Sequence, residues 1–330
     1  MEYVFFDIEC ACVYKNTAKI CAFGYCRTDE QFNILEKEDI LVNPKGKFHL
    51  TDRKGNEGIV LPYDYSEFKN YPVFKQIFPR IQELLEGENR LILGHATLND
   101  VKYLNLETKR FHLQPLSFKF YDTQILYMSL ISSFDRQYGL EHIAQDLEVD
   151  FVPHRAADDA YATMRVAEAM CKKEGISLVE LLEKYGVLPG KTAQGKTENG
   201  TSRPFILYSQ EKNRLRAERE ARRIDFCRFV DRKTHRKKGT PAPKGELCGK
   251  VFAFSREIED DVVSAKGYVE EIIRQGGSYT LKSDRCNVYV RAEKDEGGRF
   301  KNALAAGAEI VGKEAFTSLI AQKTPIEEGV

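Results

Sequence analysis

The chain has 330 residues, 42% of them hydrophobic and 30% charged, with a formal net charge of zero. That is long for one domain, comfortable for two, and ordinary for a soluble globular protein. No apolar run approaches the ~20 residues of a membrane span, and the first strand begins by Tyr3, which leaves no room for a signal peptide. A cytosolic protein without a membrane partner is expected. The eight cysteines are scattered, with no C-x-x-C pair and no histidine at zinc-ligand spacing, and are read as reduced thiols. The charge is uneven: between residues 191 and 244, sixteen Lys or Arg face six Asp or Glu, so the middle of the chain is basic and the remainder acidic.

The first stretch, Tyr3-Val4-Phe5-Phe6-Asp7-Ile8-Glu9, is an apolar run ending in two carboxylates separated by one residue. Side chains alternate along a strand, so Asp7 and Glu9 point the same way, roughly 7 Å apart at Cα. An acidic pair at the end of a buried strand is costly unless something positive sits between the carboxylates, and a hard divalent cation suits the place. Asp146 and Glu148 repeat this spacing where a helix ends, and there a solvated acidic turn is the simpler account. Cys10-Ala11-Cys12 reads as small residues in a turn.

Residues 18–25 and 32–42 read as the second and third strands of an antiparallel meander. Residues 43–71 are polar, rich in Gly and Tyr and long for an internal connection; a substrate-facing cover and a plain surface excursion are both open. Pro72 opens a helix in which Phe74, Ile77, Phe78, Ile81, Leu84 and Leu85 follow the 3.6 period and Gly87 closes it. Residues 90–93 form a buried strand, and a helix follows over 98–111 with Asp100 on its inward stripe beside Leu104 and Phe111. Residues 116–121 are the fifth strand. Asp122 then caps the helix 124–131, a structural role, and 140–147 is helical.

After His154 comes a helix whose inward stripe is Asp159, Thr163, Val166, Ala167 and Met170. Asp158 belongs to the neighbouring face and is explained as an acid near a helix N-terminus. A helix over 178–185 ends the first domain, assigned to residues 1–188. Residues 191–203 are expected to be a flexible linker, and 209–238 a basic helix broken by 239–243; together they make a partly helical linker, 189–245. From residue 246 strands alternate with helices, which predicts a small, mostly parallel sheet over 246–322, followed by a disordered tail, 323–330.

Asp7, Glu9, Asp100 and Asp159 are thus four carboxylates that the element order can bring to one end of a sheet. They cannot all stay ionised unaided. Two divalent ions ~4 Å apart would hold them and suit in-line displacement at a phosphodiester. His154 is placed to take a proton from water.

These residues fall in three motifs that resemble the DEDDh 3′→5′ exonucleases, which include the proofreading subunits of bacterial replicative polymerases. Asp7-Ile8-Glu9 matches the first motif, the stretch from Gly94 to Asp100 with Leu104 the second, and His154 to Ala160 the third, as H-x-A-x-x-D-A. The resemblance implies an α/β, RNase H-like exonuclease fold with a five-stranded mixed sheet. It implies two Mg²⁺ or Mn²⁺ ions held by Asp7, Glu9 and Asp159 with Asp100 supporting the second, and His154 as general base. The second motif departs from the family at Ala96, Thr97 and Asn99, and the 43–71 loop lacks the usual sequence, which touches the grip on the terminal nucleotide more than the metal chemistry.

The C-terminal pattern resembles a BRCT domain: the 249–254 strand, Gly276-Gly277, the run 297–303, and Ala315-Phe316, with Phe316 in place of the usual Trp. BRCT domains bind DNA ends or phosphorylated partners, so Ser255, Arg256, Arg299 and Lys301 are candidates for a phosphate pocket. The expectation is a metal-dependent 3′→5′ exonuclease that releases nucleoside monophosphates from a single-stranded or frayed DNA end, in replication proofreading or repair, with the basic linker holding phosphates. Two alternatives stay open: RNA as substrate, and a catalytically silent scaffold acting through the BRCT-like domain.

Overall fold

The computed structural model describes residues 1–14, 16–48, 60–150, 155–235 and 245–321. They form two compact units, Met1–Gln210 and Glu211–Val330. Four sequence expectations fall outside the described residues: the entry through Val152 and His154, the 49–59 part of the long loop, the 239–243 breaker and the 323–330 tail.

The first unit opens with the expected meander, β1 (Glu2–Tyr14), β2 (Thr17–Thr28) and β3 (Ile34–Leu41). There follow α1 (Phe74–Glu86), β4 (Arg90–Gly94), α2 (Leu98–Arg110), β5 (Phe118–Asp122), α3 (Thr123–Leu130), α4 (Leu140–Asp146), α5 (Ala156–Glu174) and α6 (Leu178–Lys184). Short strands β6 (Val187–Leu188), β7 (Gly190–Ala193), β8 (Lys196–Glu198) and β9 (Thr201–Ser202) end the unit. The main sheet is mixed, in the order β3-β2-β1-β4-β5-β7-β8.

Strand β1 is central, antiparallel to β2 and parallel to β4, with helices on both faces, which is why its start is apolar at every position. Val4, Phe6 and Ile8 pack toward the α1 and α2 side. Tyr3 and Phe5 pack toward the side of α3, α5 and α6. Asp7 and Glu9 continue this second row, so the alternation of one strand aims both carboxylates at the face where α5 lies. Each fully buried Phe contributes about 1.5–3 kcal/mol, so a one-residue slip of β1 is strongly opposed.

Three expectations are corrected here. The sheet has seven strands rather than five, because residues 190–198, expected as flexible linker, form β7 and β8 on its edge. The reason is tertiary: Asn105 on α2 donates to the hydroxyls of Thr192 at 3.0 Å and Thr197 at 2.8 Å, and Gly190 lies so close to the Phe120 ring that a Cβ there would meet it at 2.4 Å. The boundary between units lies near residue 210, not 188. Cys10 and Cys12 lie within β1, not in a turn. The β1–β2 register shifts between Glu9 and Cys10 and again before Cys12, a bulge that bends the strand just past the acidic pair.

Helix α7 (Arg203–Thr234) runs from the end of the first unit into the second. There Phe226, Phe229 and Val230 join a core with β10 (Val251–Phe254), α9 (Val262–Arg274) and α11 (Lys313–Ala321). The remaining elements are α8 (Arg256–Asp260), β11 (Ser278–Tyr279), β12 (Val288–Arg291), α10 (Gly298–Ala305) and β13 (Glu309–Gly312). The sheet, β11-β10-β12-β13, is parallel throughout, as expected. Phe316 is fully buried against Phe252 at 5.8 Å and Phe254 at 5.5 Å between ring centroids. Among the described residues, no helix is long and apolar enough to cross a membrane.

Candidate active site

One carboxylate oxygen from each of Asp7, Glu9 and Asp159 can be chosen so that all three lie within 4.8 Å of one another. Two elements produce this triad. Strand β1 supplies Asp7 and Glu9 by its period of two, and α5 supplies Asp159 from its first turn.

The helix can come so close because the residues at the contact are small. Asp7 pairs with Gly24 across the β1–β2 ladder. A Cβ on Gly24 would meet the Ala156 carbonyl carbon at 1.9 Å and the Ala157 nitrogen at 2.1 Å. Ala156 and Ala160 are fully buried. The alanines of the third motif are therefore a packing requirement of the carboxylate that follows them.

Asp100 is buried in the first turn of α2 and lines the same cavity, of about 390 Å³, as Asp7 and Glu9. Its backbone is held by an unusual turn in which Ala96 has φ +51°. The carboxylate of Asp122 accepts from the backbone nitrogens of Ala96 at 3.0 Å and Thr97 at 3.1 Å as well as Gln124 at 2.9 Å. Asp122 is thus the expected helix cap, and it also clamps the turn that aims Asp100. Burial pushes its pKa up to about 6 against these three donors.

The cluster is electrostatically strained. Burial raises the pKa of Asp7 well above the usual carboxylate range, and the charges of Asp100, Asp159 and Glu9 raise it further. Glu9 is pushed up to about 8 by burial, then by Asp159 and Asp39. Asp100 is raised by burial and by Asp122 and Glu9. The charges acting most on Asp7 are all carboxylates, so the set is built for an external cation. Clustered oxygen ligands of this kind fit a hard divalent ion.

Apart from Asn99 and His95, the rest of the cavity wall is aromatic or apolar. Leu61 and Tyr65 come from the long loop, with Phe48 stacked on Tyr65 at 4.3 Å and Tyr103 reaching over from α2. Phe48, Leu61 and Tyr65, of the segment 43–71, therefore face the site. His95, of the second motif, is half-buried, with Nε2 3.0 Å from the Tyr138 carbonyl and Nδ1 3.2 Å from the Thr123 hydroxyl. Burial lowers its pKa to about 4, so it is neutral at neutral pH. Against that carbonyl Nε2 must be the donor. His154 lies outside the described residues. Asp158 points away from the triad and pairs with Lys37 at 2.8 Å, in keeping with its reading as a helix-terminal acid.

Sequence reasoning missed a carboxylate–tyrosine pair beside the site. Tyr63 donates its hydroxyl to Asp39 on β3 at 2.8 Å and accepts from the backbone nitrogen of Ala156 at 3.2 Å. It links β3 to the start of α5. Nothing in the local pattern signals it, since Asp39 and Tyr63 lie in unrelated segments.

The four C-terminal candidates are not gathered into a phosphate pocket. Ser255 is fully buried, and its Oγ accepts from the backbone nitrogen of Ala292 at 3.2 Å. Arg299 donates to the carbonyls of Phe254 at 2.9 Å and Leu281 at 2.9 Å and pairs with buried Glu259 at 2.7 Å. Arg256 pairs with the same Glu259 at 2.7 Å. Lys301 is exposed on α10. A buried carboxylate requires such cations, and this one recruits both arginines.

Residues 4–167 match the model of a family described as Exonuclease. The match covers just under half of the chain and lies within the first unit. No curated protein matches the chain. Among solved structures, it is similar to a 3′-exonuclease in a structure of 3′-end recognition of a histone mRNA stem-loop, at 14% identity over 61% of this chain and 91% of that one, with a TM-score of 0.47. The nuclease domain of 3′hExo, titled a DEDDh family member bound to rAMP, is similar at 16% identity over 52% and 92%, with a TM-score of 0.44. E. coli exonuclease I with a dT13 oligonucleotide is similar at 18% identity over 53% and 42%, with a TM-score of 0.41.

Proposed function

We propose that the first unit is a metal-dependent DEDDh exonuclease that removes nucleoside monophosphates, one at a time, from the 3′ end of single-stranded or frayed DNA. The observation that carries this reading is the triad of Asp7, Glu9 and Asp159, with Asp100 in the same cavity. These four acids are the residues that would hold two Mg²⁺ or Mn²⁺ ions, Asp100 serving the second. When bound, the ions lower the pKa of water and neutralise charge developing on the phosphodiester. Asp122 fixes the turn before Asp100, and Gly24 with Ala156 fixes the approach of Asp159. Phe48, Leu61, Tyr65 and Tyr103 offer apolar faces to a terminal nucleobase. His154 is proposed as the general base on the strength of its place in the third motif.

The second unit is proposed to be BRCT-like. Its four parallel strands in the order β11-β10-β12-β13, with Phe316 at the core, support that reading. The choice of DNA, and of a repair or proofreading role, follows from this association. A DNA-end or phosphorylated partner remains its proposed ligand, although three of the four candidate residues have structural partners.

The experiment is parallel digestion of DNA and RNA strands of one sequence in Mg²⁺. Faster release of deoxynucleoside monophosphates supports the DNA reading; a preference for the RNA strand overturns it in favour of an exoribonuclease. If neither strand is cut in Mg²⁺ or Mn²⁺, the first unit is a silent scaffold.

A further inference from the structure

We propose that the face of α7 bearing Lys212, Arg216, Arg219 and Arg223 binds the phosphodiester backbone of the strand whose end is processed. The proposal rests on the nucleic-acid substrate proposed above and adds a second, non-catalytic contact with it.

Residues 210–225 of this helix are exposed at every position. A helix without a buried face draws its stability from side-chain pairs along its own surface. Part of α7 follows that rule: Arg214 pairs with Glu211 at 2.7 Å and Glu218 at 2.9 Å. Asp225 is engaged by Lys266 at 2.5 Å. Another face of the same helix gathers cations. Spacings of four, three and four residues place Lys212, Arg216, Arg219 and Arg223 within an arc of about 60°, over roughly 16 Å of helix. Glu211, Glu218 and Asp225 fall on a different flank.

Two pairs in this row, Lys212 with Arg216 and Arg219 with Arg223, are like charges four residues apart, an arrangement that destabilises a helix. Arg223 has Glu220 at 3.6 Å. Arg216 and Arg219 have no carboxylate within ion-pairing distance among the described residues. A row of repelling cations on an uncovered helix is stabilised by an external polyanion, and guanidinium forks suit phosphate. A lipid surface fits poorly, because the flank opposite the row carries Glu and Arg rather than an apolar strip. A strand held by its end on the first unit is a polyanion tethered to the same chain, which raises its effective concentration at any second site that chain carries.

The test uses the full chain carrying Asp7→Asn, so that strands survive. Binding of 5′-labelled strands of about 24 and about 4 nucleotides, DNA and RNA alike, is followed by fluorescence anisotropy across salt concentrations. For single strands, log affinity falls with log salt by about 0.7 per neutralised phosphate. In the variant K212Q/R216Q/R219Q/R223Q the slope for the long strand is expected to flatten by up to about 3, with affinity near 0.1 M salt down at least about tenfold. In the chain with an intact active site, the same four substitutions should leave tetranucleotide hydrolysis unchanged. Glutamine keeps helix propensity, and circular dichroism reports helix content. The companion variant R216K/R219K/R223K retains the charge and should retain the slope. An unchanged slope in the glutamine variant, an equal loss in the lysine variant, or equally tight binding of polyglutamate overturns the proposal. Failure to hydrolyse the tetranucleotide at all would instead overturn the exonuclease reading.

Discussion

Gly24 on β2 lies against Ala156 at the start of α5 so closely that any Cβ on the glycine would sit 1.9 Å from the alanine's carbonyl carbon. Asp7, opposite Gly24 in the ladder, and Asp159, one turn along the helix, converge because of this contact. Gly24→Ala is therefore expected to lower stability by about 1–3 kcal/mol through overpacking and to cut exonuclease turnover at least tenfold. Gly267 on α9 is the control, since a Cβ there meets nothing within 4 Å. Gly267→Ala should raise stability by about 0.5–1 kcal/mol and leave turnover unchanged. Thermal denaturation and single-turnover kinetics read both.

Tyr63 is the second support of α5. Its hydroxyl serves the Ala156 nitrogen and Asp39, whose Oδ1 is already buried without a hydrogen-bond partner among the described residues. Tyr63→Phe is expected to cost about 1–3 kcal/mol, the penalty for stranding buried polar groups. Combined with Asp39→Ala it should cost clearly less than the sum of the two single changes. An additive result in the double-mutant cycle would show that the pair does not act together.

The raised carboxyls of the site make stability depend on pH. An acid whose native pKa exceeds its unfolded value stabilises the fold fully below the unfolded value and loses that contribution as pH rises to the native one. For Glu9 the window runs from 4.5 to about 8, and Asp7 and Asp100 shift in the same direction. In EDTA, the thermal midpoint should fall between about pH 5 and about pH 8 on account of this cluster. Mg²⁺ or Mn²⁺ needs the deprotonated ligands, so the stabilisation it brings should grow over the same range. Asp7→Asn should raise the metal-free midpoint near pH 8 and diminish the metal-induced shift. A metal-free midpoint that is as sensitive to pH in Asp7→Asn as in the parent would remove the site from the explanation.

In the second unit, Arg299 is read as structural. Replacing it by Met leaves Glu259, only 4% exposed, with Arg256 and Tyr279 but without its more buried cation. The expected loss is about 3–5 kcal/mol from that unit, seen as an earlier unfolding transition. Adding Glu259→Gln should recover part of it. Turnover of a tetranucleotide should not change.

Periodic features were legible in the sequence because they are local. The alternation of β1 gave the shared direction of Asp7 and Glu9, and the 3.6 period of α5 separated Asp159 from Asp158. What escaped depends on partners distant in the chain. Gly24 has no local role that a pattern can register. Strands β7 and β8 are polar and short, and their anchor, Asn105, lies 87 residues before Thr192. Arg299 and Ser255 looked available for phosphate because nothing nearby in sequence announces Glu259 or the Ala292 nitrogen as their partners.

The central claim is that the three clustered carboxylates hold the metal that cuts at the 3′ terminus. Its most direct test is digestion of one single-stranded oligonucleotide labelled at either end, with Mg²⁺ or EDTA, by the parent chain and by Asp7→Asn. The expected result is metal-dependent loss of the 3′ label as mononucleotide, with a ladder shortening from that end when the 5′ label is followed, and no turnover by Asp7→Asn. Cutting that persists in EDTA, proceeds from the 5′ end, or survives Asp7→Asn would contradict the account.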